Sequence, residues 1–446
     1  MSAANPMTTP EPSPTPTLRQ IASRIEGYDP NALPVEQAQA FIRALVQPVQ
    51  AVEQLPIRSA LGRVLAGNVV SRIDVPAADN SAMDGYALRG SGLAGNADTV
   101  LRNIGTGFAG AAFAGSVGPA ECVRIMTGTV MPAGLDTVVP QELVRVDGVR
   151  VTVPAGSVRT GDNRRFAGED LARGDVALAA GRLLRPADIG MLASLGHAEV
   201  AVRRRVRVAF FSTGNELRSV GEPLDPGSAY DSNRYTLWAM LQRLGVEPID
   251  MGVVRDDPAQ LEAVFVQAAA SADAIITSGG VSVGEADHTK QVMVRLGDVL
   301  FWRIAMRPGR PMAIGRMAAG GGQHSGQTGS AILFGLPGNP VAVMVTFYAF
   351  VREALLAMSG AAPEPLPMLR AASSSAIRKK PGRTEYQRGF VSRAANGEWQ
   401  VALGSSQGSG ILRSMSEANG LIVLPHAQGD VVAGEMVDVL PFDGLI

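Results

Sequence analysis

Apolar positions recur along this chain with two periods. Residues 35–49, VEQAQAFIRALVQPV, place Val35, Ala38, Phe41, Ile42 and Leu45 at helical spacing. A short helix is expected around IRSALGRVLA, residues 57–66, and another over RLLRPADIGMLASLG, where Pro186 suits the first turn. Between them, from about 61 to 164, the chain is rich in Gly and Val. Short runs such as CVRIMTG, DTVVPQELVRV and VRVTVPA read as small strands separated by turns.

From about residue 205 the pattern becomes a strand–helix alternation. RVRVAFFSTG precedes DSNRYTLWAMLQRLG, a helix with Leu237, Trp238, Leu241 and Leu244 on one face. VEPIDMGVV precedes DPAQLEAVFVQAAAS, with Leu261, Val264, Phe265 and Ala268 on one face. ADAIITSG precedes HTKQVMVRLG. VLFWRIAM and SAILFGLPG follow as strands, and NPVAVMVTFYAFVREALLAM as a helix. This alternation predicts an α/β domain with a doubly wound parallel sheet over about 204–360. Such sheets bind ligands outside the C-terminal ends of their strands. STGNEL, VVRDD, SGGVSVGEAD and LPGNP all fall there. GAAPEPLP is a linker by composition, and AAGGGQHSGQTG (318–329) reads as a hairpin loop. Alternating runs such as EWQVAL, GLIVLP and EMVDVL predict a C-terminal β-barrel over 368–446.

The expected organisation is therefore multidomain, α/β plus β. A disordered Pro/Thr/Ser tail (1–18) precedes a discontinuous helical or mixed N-terminal domain (19–60 and 165–203). A β-rich insertion (61–164), the sheet domain and the barrel complete it. Composition narrows the chemistry. Forty basic residues against 41 acidic ones give no global field for nucleic acid or an acidic membrane. One cysteine, Cys122, excludes an intrachain disulfide, and four scattered histidines give no transition-metal cage. Lys290, Lys379 and Lys380 are the only lysines, so 37 of the 40 basic residues are arginine. The first residues lack the basic and apolar regions of a signal peptide, and PVAVMVTFYAFV is interrupted by Arg352 and Glu353. A cytoplasmic protein is the expectation.

GTGFAG (105–110) satisfies GxGxxG, but no long helix and no acid at the required distance follow it, so it reads as a glycine-rich loop. GxxxxGK[ST] is absent. In LPGNP, Asn339 can cap a helix and Pro340 can open it. Such a helix start can also face an anion. Glu216, Asp256 and Asp287 each follow a strand of the same sheet. Two carboxylates ~4 Å apart repel by about 4 kcal/mol at an effective dielectric of ~20. A hard cation such as Mg²⁺ reverses that sign. Arg307 and Arg310, in MRPGRP, offer two-pronged oxyanion contacts.

Ten ordered motifs now stand together: SAMDGYA, RIMTGTVMPAGLDTVV, GED, STGNEL, RDDP, SGGVSVGEADHTK, MRPGRP, GLPGNPVA, RTEYQRG and QGS. In this order they resemble the molybdopterin molybdenumtransferase family over nearly the whole chain after the tail. The resemblance implies a Mg²⁺-dependent reaction of molybdate with adenylylated molybdopterin, giving molybdenum cofactor and AMP. It implies an elongated homodimer, with molybdopterin adenylyltransferase and molybdoenzyme chaperones as further partners. Carried over, Asp84, Thr127, Glu216, Asp256 and Asp287 would be catalytic, with Glu216, Asp256 and Asp287 holding Mg²⁺. Asp170, Ser278, Gly279, Gly280, Arg307, Arg310, Pro337, Pro340, Arg388 and Ser409 would bind substrate. The family often has lysines where this chain has Arg307 and Arg310. TGTVMPAGLD also departs from the usual TGAPxPxGAD. Cys122 is not implied as a nucleophile. An adenylylating enzyme, a nucleotide hydrolase and a clustering scaffold share the same sheet domain. The β-rich insertion together with RTEYQRG and QGS favours the transferase.

Overall fold

The computed structural model describes residues 16–281, 288–318, 330–364 and 366–442. By their contacts they form two compact units. One comprises Met1–Gln54, Gly62–Ala66 and Ala201–Ile446; the other comprises Leu55–Leu61 and Gly67–Val200.

The first unit opens with α1 (Leu18–Ala22) and α2 (Val35–Leu45). Thr17 and Gln20 form a reciprocal capping box on α1, so the last residues of the expected tail are ordered. Leu18 is fully buried. All five apolar positions read on α2 are buried. Phe41 meets Trp302 edge-on, with ring centroids 5.0 Å apart.

The second unit carries a six-stranded sheet. Its strands are β1 (Gly85–Leu88), β2 (Thr99–Gly107), β3 (Glu121–Ile125), β4 (Thr137–Pro140), β5 (Arg145–Asp147) and β6 (Arg150–Val153), ordered β4-β1-β3-β2-β6-β5. Only the β2–β3 pair is parallel. Gly105 and Gly107 lie inside β2, and no helix follows them. The unit also holds α3 (Pro186–Ser194). Between 57 and 66 the expected helix is reduced to one 3-10 turn, Ile57–Ser59. Gly62 interrupts the run, and Leu61 is exposed.

The remaining strands and helices of the first unit follow the predicted alternation. They are β7 (Arg207–Thr213), α4 (Ser232–Leu244), β8 (Glu247–Val254), α5 (Pro258–Ser271), β9 (Ala274–Ser278), α6 (His288–Leu296) and β10 (Gly297–Arg303). Then come β11 (Met306–Arg307), β12 (Pro311–Ala318), β13 (Ser330–Leu336), α7 (Pro340–Thr346) and α8 (Arg352–Met358). The sheet order is β8-β7-β9-β13-β12-β10. β8, β7, β9 and β13 pair in parallel, while β12 runs antiparallel to both its neighbours. Alternate residues of each strand enter opposite cores, as a period of two requires. Val208, Phe210 and Ile276 pack on the side of α2, α4 and α7. Ala209, Phe211 and Ile275 pack with α5 and α6. The hairpin loop expected at 318–329 falls, after Ala318, outside the described residues.

Two local expectations need correction, one on α4 and one in the strand VLFWRIAM. On α4 the buried positions are Leu237, Met240 and Leu241, whereas Trp238 is 47% exposed. The third position after Leu237, not the first, lies over the sheet. The long helix expected over NPVAVMVTFYAFVREALLAM is present and continues past Arg352, with a π turn, Phe347–Val351, joining α7 to α8. The run Pro340–Met358 is thus long and apolar enough to cross a membrane, but 72% of its most apolar window is buried in the fold. The predicted strand VLFWRIAM breaks after Arg303, and Met306–Arg307 pairs elsewhere.

Strands β14 (Leu369–Ser373), β15 (Thr384–Arg393), β16 (Trp399–Leu403), β17 (Gly420–Leu424) and β18 (Met436–Pro441) form the C-terminal barrel. The order β15-β16-β14-β18-β17 closes through the β15–β17 pairing. Ile377, Val401, Ile422, Val437 and Val439 fill its core. β11 joins β15 in parallel, setting Arg307 opposite Glu385.

Candidate functional site

A cleft of about 940 Å³ opens at the C-terminal ends of β7, β8, β9 and β13. This is where a parallel sheet leaves strand-end loops free to hold a ligand. Nine sequence-predicted residues line it: Glu216, Asp256, Ser278, Gly279, Gly280, Arg307, Arg310, Pro337 and Ser409.

The floor is the turn after β9. Ser278 is buried. Gly279 and Gly280 adopt φ of +95° and +68°. A Cβ on Gly279 would stand 2.7 Å from the Thr213 carbonyl oxygen, and one on Gly280 would strike Thr289 at 2.6 Å. These glycines are therefore required by the protein's own packing as well as by any close-approaching ligand.

Glu216 follows β7 and Asp256 follows β8, and both side chains are exposed in the cleft. Partial loss of hydration holds the Asp256 carboxyl above its usual range. The Glu216 charge pushes in the same direction, and His288 opposes it. Asp287, the third expected acid, and Glu285 lie outside the described residues. Among the described residues no group of three or more His, Cys, Asp or Glu is placed to hold a metal. The oxygen pair of Glu216 and Asp256 nonetheless suits a hard cation, since Mg²⁺ takes one or two protein carboxylates and completes its shell with water and phosphate.

Arg307 and Arg310 occupy the opposite wall, both exposed. Their loop is closed by the Ile304 N–H donating to the Arg310 carbonyl at 2.7 Å. Arg307 is anchored by its ladder to β15, and the Arg307–Pro308 peptide is cis.

The barrel supplies Ser409 and, behind it, Arg388. Arg388 is only 1% exposed and is not in the cleft lining. Its Nη2 donates to the Ser406 and Gly408 carbonyls at 3.0 and 3.1 Å, and its Nε to Ser414 Oγ. It holds the Ser409 loop from behind. Pro340 also falls outside the lining, as the first residue of α7. Asn339 makes no side-chain cap there. Its Nδ2 donates instead to Ser409 Oγ at 3.1 Å, while the Val341 N–H donates to the Ser409 carbonyl. The cap expected from sequence is replaced by a tie to the barrel.

Asp84, Thr127 and Asp170 belong to the other unit. The Thr127 N–H and Oγ1 both donate to Asp84 Oδ1 at 2.7 Å. These bonds, backbone first, hold the Asp84 carboxyl below its usual range. Asp170 is exposed, and its N–H donates to the Val75 carbonyl. Burial pushes the Cys122 thiol up to about 12, in keeping with a core residue.

Sequence reasoning did not single out Asn233, Asn339 as a cleft residue, or Gln407, all of which line the site. Asn233 was visible in principle, as a polar residue in the first turn of a helix leaving the sheet's binding edge. Gln407 stands in the QGS motif two residues before Ser409, so its place was marked in the sequence although only Ser409 was named there.

Three family models cover the chain in order. The MoeA N-terminal region (domain I and II) matches residues 33–196, the probable molybdopterin binding domain 209–357, and the MoeA C-terminal region (domain IV) 370–442. A molybdopterin molybdenumtransferase of Haemophilus influenzae is 39% identical over 416 residues, 93% of this chain and 100% of its own length. One from a Nostoc species is 36% identical, covering 88% of this chain and 89% of that relative. The crystal structure of the molybdopterin biosynthesis moeA protein of Pyrococcus horikoshii superposes with a TM-score of 0.75 at 28% identity, covering 92% of this chain and 100% of that one. This chain belongs to the molybdopterin molybdenumtransferase family.

Proposed function

We propose that the cleft at the sheet edge is where this enzyme inserts molybdenum into molybdopterin, in the course of molybdenum cofactor biosynthesis. The observation that carries this reading is the juxtaposition of two acids, Glu216 and Asp256, with two arginines, Arg307 and Arg310, around one glycine turn. A site of one charge sign would suit a simple anion or cation. A mixed site suits a substrate carrying phosphate and oxyanion groups together with a cation.

The substrate in this reading is adenylylated molybdopterin, with molybdate as the metal donor and AMP as the product released. Arg307 and Arg310 receive oxyanion groups through planar N–H donors. Gly279 and Gly280 leave the turn free of side chains, and Pro337 and Ser409 bound the substrate from the β13 and barrel sides. Glu216 and Asp256, with Asp287, would hold Mg²⁺. Bound there, the ion would offset charge on the pyrophosphate. We further propose a homodimer, supplied by an adenylyltransferase and passing its product to molybdoenzyme chaperones in the cytoplasm.

The test is AMP release from adenylylated molybdopterin by the purified chain, with and without molybdate and Mg²⁺. Release should require both. Release independent of molybdate would overturn the transfer reading, and full activity in chelator would remove Mg²⁺ from it. Sedimentation that finds only monomer would remove the homodimer.

A further inference from the structure

Asn233 is the second residue of α4, just past Asp231, whose Oδ1 caps the helix by accepting from the Arg234 N–H at 3.1 Å. Its Nδ2 donates to Ser278 Oγ at 2.8 Å and to the Gly338 carbonyl at 2.6 Å. The orientation of the amide is fixed by chemistry. A carbonyl oxygen can only accept, so the nitrogen must face Gly338. Both amide protons are then used. One side chain thereby joins the turn after β9 to the turn after β13, the two strand-end turns that face each other across the cleft floor. They approach closely: a Cβ on Gly338 would stand 3.8 Å from the Gly279 Cα.

The other end of the amide is unpartnered. Asn233 Oδ1 is buried and has no hydrogen-bond partner among the described residues. The amide therefore makes both of its protein contacts through its nitrogen. Thr213 Oγ1, also buried and unpartnered, lies against the same turn.

We propose that Asn233 is a positioning residue for the transfer: its amide nitrogen clamps the Ser278–Gly280 turn to the Pro337–Asn339 turn and so fixes the floor on which the substrate rests. The inference rests on the cleft being the site of transfer, and its test separates the two ideas. Asn233→Ala removes the clamp. Asn233→Asp keeps the shape but sets a carboxylate oxygen against the Gly338 carbonyl. Protonation of that carboxyl restores one donor, and repulsion from the carbonyl raises its pKa.

The measurements are amide hydrogen exchange over both turns and steady-state transfer by the full-length variants. Both variants should exchange about ten-fold faster at the two turns, with circular dichroism unchanged. In both, kcat should fall about ten-fold or more while KM for molybdate stays within about two-fold. Activity of Asn233→Asp relative to wild type should climb as the pH falls from about 8 to about 6, and that of Asn233→Ala should not. Unchanged exchange in Asn233→Ala overturns the clamp. Faster exchange with unchanged kcat, or a pH-independent defect in Asn233→Asp, overturns the positioning role. A wild-type chain without transfer sinks the functional reading instead, and exchange still decides whether the clamp exists.

Discussion

At the scale of single residues, charge placement is the informative quantity. Partial loss of hydration raises the Asp256 pKa, the Glu216 charge adds to that, and His288 opposes it. Asp256→Asn removes the acid while keeping its shape. We expect transfer to fall by at least about 10–100-fold, and, if the proposed Mg²⁺ role holds, more Mg²⁺ to be needed for half-maximal rate, measured by titrating Mg²⁺ against rate. Wild-type turnover in that variant would take Asp256 out of the site. Asp84 gives a prediction of the opposite sign. Its folded pKa lies below the unfolded value, so the unfolded chain binds more protons as pH falls between the two. The stabilisation is complete above the unfolded value and is lost as pH falls through the folded one. Thr127→Val removes one of the two donors and should move the Asp84 midpoint up towards the ordinary carboxylate value, as read by NMR titration. Among the nine predicted residues that line the cleft, Glu216, Asp256, Ser278 and the glycines are legible from the strand ends that they follow, whereas Arg307, Arg310, Pro337 and Ser409 are legible only through their motifs. Arg388 was legible as important but not as to its task. Nothing in QRG says that its guanidinium turns inward to backbone carbonyls.

At the scale of elements, apolar periodicity locates a helix's buried face where residue type and angular position agree, and misplaces it where they do not. α2 and α5 bury the faces expected of them. α4 buries Met240 where Trp238 was expected, because a large aromatic on a helix flank is apolar by type but not by place. Burial makes α2 a strong test. Phe41→Ala should cost about 3–5 kcal/mol in chemical denaturation, since a fully buried ring against Trp302 leaves a cavity. A cost below about 1 kcal/mol would mean that α2 is not packed as described. Turns carry their own constraint. Gly279→Ala combines a left-handed backbone with a methyl 2.7 Å from a main-chain oxygen, and should destabilise by roughly 1–3 kcal/mol. An unaffected melting temperature would show that the turn adapts freely.

At the scale of the whole molecule, each unit has apolar cores built from its own residues. One unit is built on the large mixed sheet. The other is built on Tyr86, Leu88, Leu101, Cys122 and Val139, with Ala87, Val123, Ile125 and Val138 on the reverse face. Such cores predict calorimetric unfolding in more than one transition. Cys122 supplies a local reporter, because a buried thiol with its pKa pushed up to about 12 should resist alkylation until its own unit opens. Labelling should follow one transition only; labelling of the native chain at the rate of a free thiol would contradict the burial. The β11–β15 ladder has a consequence for how such a chain can be recombined. Linker composition invites a cut after α8, as though the barrel were a detachable tail. Yet the strand that Arg307 pairs with lies beyond that cut, opposite Glu385. Exchanging barrels between relatives at the linker would therefore graft a foreign register onto the arginine loop, and a viable chimera would have to carry Met306–Arg307 with the barrel it came from.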